Sequence, residues 1–282
     1  MGPATLAGQT EPPGYLGTFV WSDPDPRFGG LSGLEISADG GSVTALSDRG
    51  AFVTARLTRD MDRHLTGVTD VQVEKLGGIG DQPLGEGEVD SEGLALSPDG
   101  QSLVSFEGPA RILSFAVLGE GGTLIPGPRD FEILTKNGAL ESLAVDASGN
   151  VYAIPEESPR PGGDFPVFLL EDGTWTTPFL IESLGTFLPV GADFGPDGRL
   201  YVLERQFRGL GGFATRLRRF DPASTGVQVG EVLFQTAPGR FGNLEGVAVW
   251  QVPGGRLRAT LLTDDNFLPV LSTELVEFGL PD

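Results

Sequence analysis

The feature that most constrains this chain is a repeat with a period of about 50 residues. Five segments each set an acidic side chain just before a short apolar strand: Gly33-Leu34-Glu35-Ile36, Ser91-Glu92-Gly93-Leu94-Ala95-Leu96, Leu140-Glu141-Ser142-Leu143-Ala144-Val145, Gly191-Ala192-Asp193-Phe194 and Leu244-Glu245-Gly246-Val247-Ala248-Val249. Each runs into a tight-turn signal, Asp39-Gly40, Asp99-Gly100, Ser148-Gly149, Asp197-Gly198 or Gly254-Gly255. Such dipeptides supply the positive φ that a hairpin needs. A second strand follows and also ends on an acid: Asp48, Glu107, Glu156, Glu204 and Asp264. Two further apolar stretches complete each unit, for example 52–57 with 71–76 and 165–170 with 175–181. Four strands per unit at this period describe a β-propeller blade.

The fifth unit has only three strands up to 274–278, whereas an unassigned strand at 16–21 precedes the first unit. The expectation is an all-β propeller of five four-stranded blades over residues 15–282, the N-terminal strand closing the last blade and residues 1–14 loosely attached. Six blades are the alternative if 77–88 hides weak strands. Closure removes the sheet edges that open β structures must otherwise guard. The composition fits one turn-rich globular unit, with 43 glycines and 22 prolines in 282 residues beside 39% hydrophobic residues.

In a hairpin, the start of the first strand and the end of the second lie together, opposite the turn. Ten acids, Glu35, Asp48, Glu92, Glu107, Glu141, Glu156, Asp193, Glu204, Glu245 and Asp264, should then gather at one mouth of the central channel. Crowded carboxylates raise one another's pKa and demand a counter-charge. The formal net charge of −20 favours cations as partners and repels nucleic acid and anionic membranes. With no cysteine and a single histidine, His64, thiolate and His-rich zinc sites are excluded. An oxygen-seeking cation remains, calcium above all. The expected metal ligands are Glu35, Glu92, Glu141, Asp193 and Glu245. Asp48, Glu107, Glu204 and Asp264 are the general-base candidates, and Arg49 and Arg205 can grip an anionic substrate. The competing structural reading makes such acids acceptors for backbone amides of the neighbouring blade.

Other signals carry less. Asp39, Asp99 and Asp197 read as turn formers, His64 as decoration of an outer loop, and Trp21, Trp175 and Trp250 as packing between blades. The glycine-rich 209–212 stretch precedes no helix and reads as a loop. Gly30-Leu31-Ser32-Gly33 lacks the spacing of a nucleophile elbow. No apolar run approaches the roughly 18 residues that cross a bilayer. Met1-Gly2 reads as the start of a mature chain, so a periplasmic or secreted location is expected.

Taken in order, Ser47-Asp48-Arg49-Gly50, Asp90-Ser91-Glu92-Gly93-Leu94-Ala95, Ser105-Phe106-Glu107-Gly108, Asn137-Gly138-Ala139-Leu140-Glu141-Ser142-Leu143-Ala144 and Leu203-Glu204-Arg205 resemble the motif series of the phytase-like family described as having esterase-like activity. The resemblance runs from about Gly29 to Phe267. It implies a bacterial, usually exported propeller, analogous to propeller phytases whose acid-bound calcium holds phosphate and activates water. The ring acids would take that role here. Those phytases also carry a Lys and Arg cluster for a highly phosphorylated substrate; in this chain only Arg49, Arg205, Lys136 and Arg240 are near candidate positions. The expected function is a calcium-dependent hydrolase of phosphate or other esters, acting on a small anionic or ester substrate. The alternatives are a non-catalytic exported calcium-binding propeller that binds a partner or glycan, and a calcium-dependent lactonase resembling the gluconolactonase and paraoxonase propellers.

Overall fold

A computed structural model of the chain describes residues 11–85, 87–134, 138–268 and 270–281. Strand β1 (Tyr15–Trp21) leads into the first blade, β2 (Leu31–Ile36), β3 (Ser42–Ser47), β4 (Ala51–Arg59) and β5 (Leu65–Lys75). The second blade is β6 (Ser91–Leu96), β7 (Ser102–Phe106), β8 (Arg111–Phe115) and β9 (Thr123–Ile125). The third is β10 (Ser142–Val145), β11 (Val151–Ile154), β12 (Phe165–Glu171) and β13 (Thr174–Ile181). The fourth blade comprises β14 (Leu188–Phe194), β15 (Leu200–Phe207), β16 (Phe213–Phe220) and β18 (Glu231–Gln235). Between its last two strands, β17 (Gly226–Gln228) crosses over to pair parallel with β13 of the third blade. The fifth blade contains β19 (Asn243–Gln251), β20 (Leu257–Asp264) and β21 (Thr273–Gly279), and β1 completes it by pairing antiparallel with β21 from Tyr15↔Phe278 to Trp21↔Thr273. The chain is thus the expected five-bladed propeller closed by its N-terminal strand. Ahead of β1, Gly14 accepts a hydrogen bond from the Gly279 amide at 2.8 Å, and Glu11 pairs with Arg240 at 2.6 Å.

Burial follows distance from the axis. The innermost strands β10 and β19 are buried almost throughout, whereas β5 at the outer edge alternates between half-buried and exposed positions. This is the period of two expected of a sheet with one wet face. Each interface between blades carries aromatic packing. Phe52 meets Phe115 edge-on at 5.6 Å, Phe131 meets Phe168 at 5.3 Å, Tyr152 meets Phe194 at 4.8 Å, and Phe234 stacks on Phe278 at 4.1 Å. The interface where the ring closes is filled by Trp250, which shares a buried cluster with Leu34, Val43 and Val53 of the first blade. There Arg59 of β4 reaches across to Glu277 of β21 at 2.8 Å, both side chains 4% exposed, and its guanidinium lies 4.4 Å from the Trp250 ring. Trp21 and Trp250 are buried as expected, and the Trp175 indole donates to the Pro126 carbonyl at 2.7 Å.

The inner strands approach one another so closely that only small residues fit at one level. A Cβ at Gly246 would lie 2.9 Å from Cβ of Leu34 in the next blade, and one at Gly191 would run into the Glu245 carbonyl oxygen. The axial cavity at this level measures about 10 Å³, room for roughly one water. Chemistry on a small molecule therefore belongs to a mouth of the channel and not to its waist. The two mouths differ in build. One face holds the short turns, in which Asp39, Asp99 and Asp197 accept backbone amides as expected. The long connections between blades lie on the other. Since the obstruction at Gly191 is backbone and cannot swing aside, Gly191→Ala should destabilise the fold by about 1–3 kcal/mol. A denaturant midpoint equal to wild type would contradict this account of the waist.

Candidate functional site

Backbone pairing sets which side chains share a level at the mouth opposite the short turns. The amides of Asp48, Glu107 and Glu156 donate to the carbonyls of Gly30, Asp90 and Ala139 at 2.8, 2.9 and 3.1 Å. In the ladders of the last two blades, Arg205 stands opposite Leu188 and Asp264 opposite Asn243. One side chain per blade, Asp48, Glu107, Glu156, Arg205 and Asp264, thus forms an outer ring. Nearer the axis, the positions just before Gly33, Gly93, Ser142, Gly191 and Gly246 are Ser32, Glu92, Glu141, Val190 and Glu245. The hairpin geometry therefore brings together Asp48, Glu92, Glu107, Glu141, Glu156, Glu245 and Asp264.

The expectation that all ten acids gather there requires correction at three positions. Glu35 pairs with Thr44, four residues along β3 from Asp48, which places it about 13 Å below the mouth. Its carboxylate accepts the Leu96 amide of the second blade at 3.0 Å. Asp193 occupies the corresponding level in β14, accepting the Val249 amide of the fifth blade at 2.6 Å. These two match the structural reading, acids that fasten one blade to the next. Glu204 is fully buried because adjacent strand residues face opposite ways. Its carboxylate is gripped by Arg218 through both nitrogens of one guanidinium edge, and by Arg216 at 2.6 Å. Its neighbour Arg205 takes the ring position instead.

Arg205 divides the mouth in two. It binds Glu156 at 2.8 Å on one side, and Glu245 together with Asn243 (2.7 Å) on the other. The surrounding Glu245, Glu141 and Glu156 raise the guanidinium pKa against the opposing effect of burial. Across the mouth, among the described residues, no salt bridge reaches Glu92 or Glu141, and Arg205 acts on Glu141 only through space. Glu141 is 9% exposed and faces the axial cavity, yet among the described residues its carboxylate makes no hydrogen bond or salt bridge, and neither does that of Glu92. Beside them, Asp90, Glu92 and Glu107 each present an oxygen within 4.8 Å of the others. That spread suits a cation with bonds of 2.3–2.6 Å. One Glu107 oxygen also accepts the amides of Gly138 and Ala139, the latter at 3.1 Å, which orients the carboxylate.

Burial is the main cause that pushes Glu92 and Glu141 well above the usual carboxylate range. For Glu92 the charges of Glu141 and Glu245 add to it; for Glu141, those of Glu156 and Glu245. Burial likewise lifts Glu107 and Asp264, and raises Glu245 to about 7 against the pull of Arg205. Asp48 is raised to about 7 by burial and then by Asp264, and its Oδ1 is buried without a hydrogen-bond partner. A bound cation would reverse these shifts, because it favours the charged form of every neighbour.

The remaining candidates are dispersed. Arg49 is exposed at the mouth and lies 3.5 Å over the Phe267 ring. Arg240 is away from the ring, pairing with Glu11 and packing on Phe241 at 4.2 Å. Lys136 lies outside the described residues. His64 sits in the turn between β4 and β5 with Asp60 as its partner, and Ser32 is buried, donating to the Ser91 carbonyl at 2.9 Å. Asp90 and Asn243 are site residues that the strand-start acids do not reveal. Asp90 lies two residues before Glu92, an interval that returns to the same side of a strand, and that alternation was the available signal.

The sequence profile of a family described as "Phytase-like: Esterase-like activity of phytase" matches residues 26–267. No curated protein matches the sequence. Among solved structures, an α-L-arabinofuranosidase from Podospora anserina superposes with a TM-score of 0.51 at 13% identity, covering 94% of this chain and 95% of that one. A putative gluconolactonase gives 0.47 at 14% identity with 94% of each chain covered. An aldose sugar dehydrogenase from Streptomyces coelicolor gives 0.46 at 16%, covering 95% of this chain and all of the other. At these identities the likeness is one of fold.

Two measurements check the electrostatics. The raised acids hold protons in the folded chain that the unfolded chain releases, so they stabilise most at low pH, and that contribution is lost as pH climbs from about 4 to about 7. Metal-free Glu141→Gln should therefore lose less Tm than wild type between pH 5 and pH 7.5; identical profiles would remove Glu141 from the cluster. Glu204→Ala strands two buried guanidinium groups and should cost about 3–5 kcal/mol of stability. An unfolding midpoint close to that of wild type would show that Glu204 is not the buried partner described.

Proposed function

Because the chain belongs to the Phytase-like family, we propose that it is a calcium-dependent hydrolase of phosphate or other esters, working at the acidic mouth. The observation that carries this reading is the pair of unpartnered carboxylates, Glu141 and Glu92, beside the Asp90 and Glu107 oxygens. Burying charge without a partner costs several kcal/mol, and a hard, oxygen-binding cation is the counter-charge that such a donor set fits. Asp90, Glu92, Glu107 and Glu141 would hold calcium. Glu245 borders the same space from the arm tied to Arg205. When bound, calcium would lower the pKa of a coordinated water and polarise the ester oxygen.

The chain's own groups supply the remainder. Asp48, whose Oδ1 has no hydrogen-bond partner, is the ring carboxylate free to take a proton from water. Asp264 stands next to it on the ring as a second base. Arg49 is in reach of an anionic or polar part of the substrate from its seat on Phe267. Arg205 holds Glu156 and Glu245 in place through its salt bridges. Glu35, Asp193 and Glu204 stay outside this scheme, since backbone amides or buried arginines already occupy their oxygens. The reading extends to an exported chain, periplasmic or secreted, since extracellular modules bind calcium with Kd of about 10⁻⁴–10⁻³ M.

Hydrolysis of p-nitrophenyl phosphate and p-nitrophenyl acetate, with calcium and with chelator, tests the proposal. Calcium-dependent turnover should fall at least about 100-fold in Glu92→Gln and Glu141→Gln, and the calcium-induced rise in Tm should shrink with it. A rise in Tm without turnover of any ester would make the chain a calcium-binding module instead of an enzyme. Unchanged rates in both variants would reject the site.

A further inference from the structure

Building on the ester-hydrolase reading, we propose that the substrate is an uncharged ester with an apolar acyl or aryl group, and that this group rests on the rim over the fourth and fifth blades. Two loops rise there. Beyond Arg205, the connection between β15 and β16 carries Phe207, 68% exposed, Leu210, fully exposed, and Phe213, whose ring packs against Phe207 at 5.1 Å. Beyond Asp264, the connection between β20 and β21 carries Val270, 88% exposed, with Leu268 at 52% and Leu271 at 44%. The Gly239 amide donates to the Phe213 carbonyl at 2.9 Å, joining the first loop to the segment that enters β19. A cavity of about 120 Å³ opens between that segment and the second loop. It is lined by Val270 and Leu271, by Ser272 and Glu274, and by the two mouth residues Asn243 and Asp264. Val270 and Leu271 of the second loop thus share a cavity with Asn243 and Asp264 of the ring.

Isolated exposed apolar residues are ordinary on a soluble protein, but a cluster bordering a polar concavity marks a binding surface. Charge selects the head group. Arg205 is already shared between Glu156 and Glu245, whereas Arg49 at the same mouth makes no salt bridge among the described residues. With one calcium bound, the remaining ring acids and the net charge of −20 still oppose a phosphate dianion, whereas an ester carbonyl meets no such repulsion. The apolar group then supplies the affinity that a charged head would otherwise provide, through area removed from water.

Two assays test this. With calcium present, p-nitrophenyl octanoate should have a KM at least about tenfold below that of p-nitrophenyl acetate. Leu210→Ser and Val270→Ser should erase that advantage while leaving acetate turnover unchanged. Calorimetric titration with N-hexylacetamide and N-methylacetamide, uncharged and resistant to hydrolysis, reads binding even if no ester is turned over. The hexyl compound should bind at least about tenfold more tightly, and both variants should lose the difference. Equal binding of the two amides, or variants that bind the hexyl compound as wild type does, would overturn the proposal whatever the hydrolysis assays show. Hexyl-selective binding without hydrolysis would uphold the rim and reject the hydrolase.

Discussion

Everything at the mouth depends on backbone hydrogen bonds that pin one side chain from each blade at a common level. Those bonds belong to the sheet ladders and cannot relax to ease repulsion among the carboxylates they carry. The fold therefore forces charge together, and the chain answers it unevenly. In the fourth blade a guanidinium stands where the others present acids, and it satisfies its neighbours on both sides. Around the second and third blades the described residues supply no salt bridge to Glu92 or Glu141, both of which are buried with raised pKa values. An asymmetry of this kind is what the proposed cation would relieve, since it would favour the charged form of each unpaired acid.

The architecture was legible because each blade announces itself locally. Apolar alternation, a turn dipeptide and a second alternating run specify a hairpin without knowledge of the rest, and the surplus strand at 16–21 had only one place to go. The site was legible only in part, because a period of two turns any one-residue misreading into the opposite face. Glu204 and Arg205 are neighbours, and the sequence offers both. Only the partnership of Arg205 with Leu188 decides that the arginine enters the ring and the glutamate the blade interior. Glu35 and Asp193 misled differently. Anchoring the repeat on acids picked the wrong residue in two blades, whereas the small residue at the waist, Gly33, Gly93, Ser142, Gly191 or Gly246, marks the true phase. Ladder irregularities at Leu31/Gly33 and Pro189/Gly191 add a residue that no composition rule shows.

The division of labour between the two faces follows from the same geometry. Short turns on one face leave nothing free to vary without cost to the ladder. Long connections on the other can carry Phe207, Leu210 and Val270 into solvent with little consequence for the core. Stability and recognition are thereby kept in separate residues, and the acids that couple them, Glu35 and Asp193, lie between the two faces as fasteners from blade to blade.

The pairing of β1 with β21 has a bearing on how the molecule is made. The two strands are separated by nearly the whole described sequence, so the last blade brings together segments synthesised far apart in time. Until that meeting, β1 offers an unsatisfied edge, and the Arg59–Glu277 contact that spans the seam cannot form. Contacts of such long range are slow to find. A ribosome-bound or translocating chain would thus remain open-ended and prone to mispairing, and it would gain its cooperative stability in one late step.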